Sequence, residues 1–84
     1  MNKEKFIKEL ERVTRLDYDK CTMVNSILED YFLIGKNNKE KIVYDLINKL
    51  NVTNEEAENI YDSAISIIGS EMKEKFKHPF KNQN

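Results

Sequence analysis

The chain repeats itself at an offset of 36 residues, and this constrains its fold more than any other feature. Lys3-Glu4-Lys5-Phe6-Ile7 returns as Lys39-Glu40-Lys41-Ile42-Val43. Leu10 matches Leu46, and acidic Glu9 matches Asp45. Further on, Leu16 matches Val52, Asp17 matches Thr53, and Asp19 matches Glu55. Cys21, Val24, Leu28 and Phe32 fall on Ala57, Ile60, Ala64 and Ile68. One such unit cannot bury its apolar stripe alone, but two can bury each other's.

Each unit reads as helix, short turn, helix. Two Gly and one Pro in 84 residues leave few places to break a helix. Apolar residues step at helical spacing in four stripes. These are Phe6, Ile7, Leu10, Val13; Cys21, Val24, Leu28, Tyr31, Phe32; Ile42, Val43, Leu46, Ile47, Leu50; and Ala57, Ile60, Tyr61, Ala64, Ile67, Ile68. Asn2, Asp17, Asn38 and Thr53 stand where helix N-caps belong. Thr53-Asn54-Glu55-Glu56 has the form of a capping box. Leu16 and Val52 precede their caps and can staple to Cys21 and Ala57. Gly35 can take a left-handed C-terminal position after Tyr31-Phe32-Leu33-Ile34. Pro79 ends the last helix through its effect on His78. Helices are predicted near 3–14, 18–33, 39–50 and 54–77.

The expected fold is therefore all-α, a compact four-helix bundle made of two repeated helix-turn-helix hairpins. One domain spans 1–84, with units at about 3–34 and 39–70 and a basic tail at 71–84. A chain of this length buries only roughly 60–65% of its unfolded surface, which leaves little room for a deep substrate cavity.

Asn2-Lys3-Glu4-Lys5-Phe6-Ile7 and Leu10, with Leu16-Asp17, Cys21 and Val24, resemble the N-terminal helical hairpin of HU-type histone-like proteins. The second unit, Asn38 to Ile60, is similar. The resemblance covers the hairpins and implies a helical shape used for packing or dimerisation. The β-saddle and basic DNA-binding arms of that family have no counterpart here, so none of its DNA contacts carries over.

Charge and composition narrow the function classes. A formal net charge of −1 lacks the basic excess of a nucleic-acid binder. The one basic stretch carries Lys73, Lys75, Lys77 and Lys81 against Glu71 and Glu74, and suits a helix C-terminus. No run approaches the 20 or so apolar residues of a membrane span. No apolar stretch follows the charged N-terminus as in a secretory signal, and a cytoplasmic setting is expected. One cysteine makes no disulfide framework and no thiolate metal cage. Cys21 lies on a core stripe and reads as a small buried hydrophobe.

Chemistry-bearing motifs are missing. His78 has no ligand partner at metal-binding spacing. Asp17-Tyr18-Asp19 opens like a calcium loop, but Thr22 and Leu28 stand where Gly and Glu are needed. The neighbouring carboxylates Glu29-Asp30 and Glu55-Glu56 diverge on a helix. Gly69-Ser70 reads as a bend, a close contact or a tolerated weak spot. No catalytic residue, cofactor or metal is expected.

What remains is apolar surface off the main stripes. Met23, Ile27 and Ile34 form a ledge on the second helix, while Ile65, Met72 and Phe76 flank the fourth and Phe80 follows Pro79. The reading is a small intracellular, non-enzymatic helical protein. It would act as an interaction module for an unknown protein partner or as a homodimer, with these seven residues as the partner surface. The alternative is a nucleic-acid-associated protein using a helical hairpin or the Lys-rich C-terminal segment.

Overall fold

The structure, a computed structural model, describes residues 2–35 and 38–77, with side chains as far as Glu71. It holds four helices, α1 (Lys3–Thr14), α2 (Tyr18–Leu33), α3 (Lys39–Leu50) and α4 (Asn54–Lys77), and the described residues include no strand. All four bounds agree with the predicted ones. The protein is all-helical.

The caps explain why the helices start where they do. Asn2 Oδ1 accepts the Glu4 and Lys5 N–H groups at 2.9 and 3.4 Å. Asp17 and Asn38 accept from the Lys20 and Lys41 N–H groups at 2.8 and 3.2 Å. At α4 the capping box is reciprocal. Glu56 N–H donates to Thr53 Oγ1 at 3.1 Å, and Thr53 N–H donates to Glu56 Oε1 at 2.9 Å. The Thr53 N–H, and then its side-chain hydroxyl, hold the Glu56 carboxyl below its ordinary pKa. Gly35 takes the left-handed conformation, with φ 70°. Arg15 and Asn51 do the same after α1 and α3, at φ 66° and 58°, which no glycine announces. Asn tolerates that region and Arg rarely enters it.

One apolar core joins all four helices. Phe6, Ile7 and Leu10 meet Cys21, Val24, Ile27 and Leu28 from α2. From the other half come Ile42, Val43, Leu46 and Leu50, with Ala57, Ile60, Ala64 and Ile67. Leu16 and Val52, the expected staples, pack half-buried against it. Two stripe residues depart from expectation. Val13 is 44% exposed, because it fronts an open groove beside Ser63 and Ser66 of α4. Phe32 is 38% exposed, because it stands at the open rim of a groove between α1, α2 and α4.

Packing is cyclic. α1 and α3 each pack on both α2 and α4, while α1–α3 and α2–α4 have no close backbone approach among the described residues. α4 is about 36 Å long at 1.5 Å per residue, twice α3. Its first half meets α3, where Lys39 Nζ lies 3.4 Å from Asp62 and 5.6 Å from the Tyr61 ring centre. Its second half meets α1, where Lys5 Nζ pairs with Glu71 at 3.1 Å. The long helix is thus covered by α1 of the same chain as far as Glu71. A Cβ built on Gly69 meets nothing within 4 Å, so this glycine is neither a close contact nor a necessity.

Two stability predictions follow from the packing. Leu46→Ala removes a fully buried side chain and lowers unfolding free energy by about 2–5 kcal/mol in urea titrations. Gly69→Ala raises it by about 1 kcal/mol, since alanine is the better helix former and has room. A loss on Gly69→Ala would mean that this position is packed after all.

Candidate functional site

The last turn of α2 carries three consecutive large apolar residues that the core does not cover. Phe32, Leu33 and Ile34 are 38, 83 and 64% exposed. Three neighbours in sequence point about 100° apart on a helix, so no single face can bury them all. Leu33 and Ile34 turn off the face that carries Leu28 and Phe32, so they stay exposed although Phe32 and Leu33 line a groove with Phe6 of α1 and Ile34 lines one with Asp45 and Lys49 of α3.

Beside this end is a groove of about 270 Å³ between α1, α2 and α4. Its floor is Phe6, Asn25 and Leu28, each buried, and its rim is Phe32, Leu33, Ile68 and Glu29. Asn25 is the one buried polar residue among the described positions, at 5% exposure. Its Nδ2 has no hydrogen-bond partner. An unmade hydrogen bond of this kind costs about 1–3 kcal/mol. Of the described charges at this end, Glu29 stands alone on the groove, while Asp30 shares a second groove with Lys49 of α3. Glu29 and Asp30 are exposed, and α2 has no basic residue in its last turn to offset the negative pole of its dipole.

Of the seven residues expected to form a partner surface, four lie among those whose side chains are described. Met23 and Ile34 are exposed on α2, at 43 and 64%. Ile65 is half-buried. Ile27 is corrected to core: it is 4% exposed, because α3 packs over the ledge. The Met72 and Phe76 side chains, and Phe80 and His78 entirely, lie outside the described residues. Phe32, Leu33 and Asn25 were missed. A length comparison exposes the first two: Tyr31, Phe32 and Leu33 close a 16-residue helix whose neighbours have 12. No signal in the sequence marks Asn25, because its burial depends on the meeting of three helices.

Elsewhere among the described residues, the exposed large hydrophobics, Val13, Tyr18, Met23 and Tyr44, are scattered singly. The larger groove between α1 and α4, about 530 Å³, is lined by Lys5, Glu9, Arg12, Ser63, Ser66, Ser70 and Glu71 among others. Its charges are satisfied locally, with Arg12 on Glu9 at 2.8 Å and Lys5 on Glu71. The Arg12 guanidinium lowers the Glu9 carboxyl pKa, chiefly through their hydrogen bond. Between α2 and α3, the Tyr31 hydroxyl donates to Asp45 Oδ2 at 2.6 Å, and this bond raises the Tyr31 pKa. Among the described residues, no cluster of three His, Cys, Asp or Glu side chains could hold a metal. Nor is any helix there long and apolar enough to cross a membrane.

Cys21 is fully buried, with Sγ 3.8 Å from the Leu16 carbonyl. Burial, and then the Glu11 carboxylate, push its thiol from 9.0 up to about 11. A thiol that ionises so late is a poor nucleophile at neutral pH.

No family model matches the chain, and neither a curated protein nor a solved structure is significantly similar to it.

The buried groups give two predictions. Asn25→Leu removes an unpartnered amide at similar volume and raises the urea midpoint. A lowered midpoint would mean that the amide is satisfied. For Cys21, the folded pKa lies above the unfolded one, so its contribution is complete below pH 9.0 and lost as pH rises towards about 11. Chemical denaturation across that window shows a steeper loss for wild type than for Cys21→Ala. Equal slopes would contradict the buried thiol.

Proposed function

We propose that the chain is a small non-enzymatic protein–protein interaction module, built as a four-helix bundle from two repeated hairpins, in one domain. The repeat reading is supported by the matching helix bounds. α1 and α3, and the starts of α2 and α4, lie 36 residues apart, as do the left-handed residues Arg15 and Asn51. It is also supported by two grooves. Ile27, Asp30, Tyr31, Ile34, Asp45 and Lys49 line one between α2 and α3. The positions 36 residues away, Ser63, Ser66, Ile67, Ser70, Glu9 and Val13, line the one between α4 and α1. The hairpin's likeness to HU-type proteins would then be one of helical shape, serving packing.

The observation that carries the interaction reading is a difference between the two halves. Leu33 and Ile34 are exposed, whereas Gly69 and Ser70 occupy the equivalent places in α4. The same scaffold stands without apolar groups there, so folding does not require them. Exposed apolar groups that folding does not require are best explained by a partner. A single buried free thiol suits a reducing, cytoplasmic compartment. The nucleic-acid alternative draws no support from the described lysines, of which Lys5 and Lys39 are paired with Glu71 and Asp62.

The test is the double substitution Leu33→Glu with Ile34→Glu. Both side chains are exposed, so the melting temperature should move little. Wild-type protein used as bait in the native cell is expected to capture a discrete partner that the double variant loses. Identical captures would remove this end of α2 from the account.

A further inference from the structure

We infer that the groove at the end of α2 receives a bulky apolar side chain from a basic amphipathic segment of a partner protein. This rests on the interaction reading above and adds the chemistry of the partner. The groove is apolar on its floor through Phe6 and Leu28 and on its rim through Phe32, Leu33 and Ile68. Its volume of about 270 Å³ suits an anchoring side chain, below the usual range for a drug-sized ligand.

Charge decides which partner fits. Glu29 is the one charged residue among those lining the groove, and Asp30 follows it on the exposed surface. The C-terminal pole of α2 adds negative potential that no basic side chain in its last turn offsets. A second copy docking by the same groove would bring two Glu29 carboxylates and two negative helix ends together. A segment bearing Lys or Arg on either side of an apolar anchor meets that field favourably. The groove also offers one unused hydrogen-bond donor. Asn25 Nδ2 is buried and unpartnered, and a carbonyl or side-chain oxygen beside the anchor can accept from it. An amide that is uncompensated in the free protein and compensated in the complex acts as a specificity element.

The experiment is a titration of the full-length ¹⁵N-labelled chain with two synthetic amphipathic peptides, one of Leu and Lys and its counterpart of Leu and Glu. The Lys peptide is expected to shift the amides of Phe6, Asn25 and Leu28–Gly35, and to bind at least about tenfold more tightly than the Glu peptide, with the gap closing at high salt. Leu33→Glu should abolish the preference. The pair Glu29→Lys with Asp30→Lys should reverse it while leaving the fold intact by circular dichroism. Asn25→Leu should weaken the Lys peptide several-fold, although that variant is the more stable protein. Equal affinities for the two peptides, or shifts confined to the α1–α4 groove, would overturn the proposal. So would self-association abolished by Leu33→Glu, which would assign the groove to a second copy. Contacts from Phe80 to Leu33 in the free chain would assign it to the chain's own C-terminal segment and equally overturn it. The interaction reading survives a failed peptide preference if the Leu33→Glu/Ile34→Glu variant still loses its captured partner. If that capture is unchanged, the interaction reading itself fails.

Discussion

Everything else in this protein depends on two apolar stripes closing on each other. Leu10 and Leu46, at equivalent places in the two halves, are both fully buried. Neither half could bury its own stripe, because a helical pair has only one partner face to offer. The cyclic packing answers this: each helix meets its hairpin partner and one helix of the other half. The apolar gain is shared between halves, and a marginal 84-residue chain has little to spare. Ala57 and Ala64 stand at the places of Cys21 and Leu28 in the offset of 36, and all four are buried in the one core.

The surface does not follow the pattern of the core. Core pairs such as Phe6 and Ile42, or Val24 and Ile60, stay apolar in both halves. Outside the core the halves part company. Met23, Leu33 and Ile34 have Asn59, Gly69 and Ser70 as equivalents. On α2, Leu33 and Ile34 stand exposed at one end near Glu29 and Asp30, and Met23 stands apart nearer the start. On α4 the row of small and polar residues lies against α1, where its charged neighbours are paired. The two ends of one scaffold therefore present different chemistry.

Much of the fold was legible in the sequence because it is set locally. Asn2, Asp17, Asn38 and Thr53 each satisfy orphan amides of their own helix, so position and residue type suffice to place them. The period of Ile42, Val43, Leu46 and Leu50 suffices to orient α3. What the sequence did not reveal depends on three helices meeting. Val13 keeps helical spacing with Leu10 but faces serines across a gap. Ile27 lies off the main stripe of α2 yet is buried, because α3 covers it. Phe32 shares the Leu28 face but stands at the rim of an open groove, and Leu33 points about 100° away from it. Asn25 looks like any polar helix residue until Phe6 and Leu28 close around it. Arg15 adopts a left-handed conformation that its residue type does not announce, because the turn into α2 demands it.

The central claim is that the two halves form one cooperative unit through a shared core. Native-state hydrogen exchange tests it most directly. The account predicts that core amides of Leu10, Val24, Leu46 and Ile60 exchange through one common opening, with equal free energies and equal denaturant dependence. If the amides of one hairpin open at a lower free energy while the other stays protected, the halves are separately stable and the account of the core is wrong.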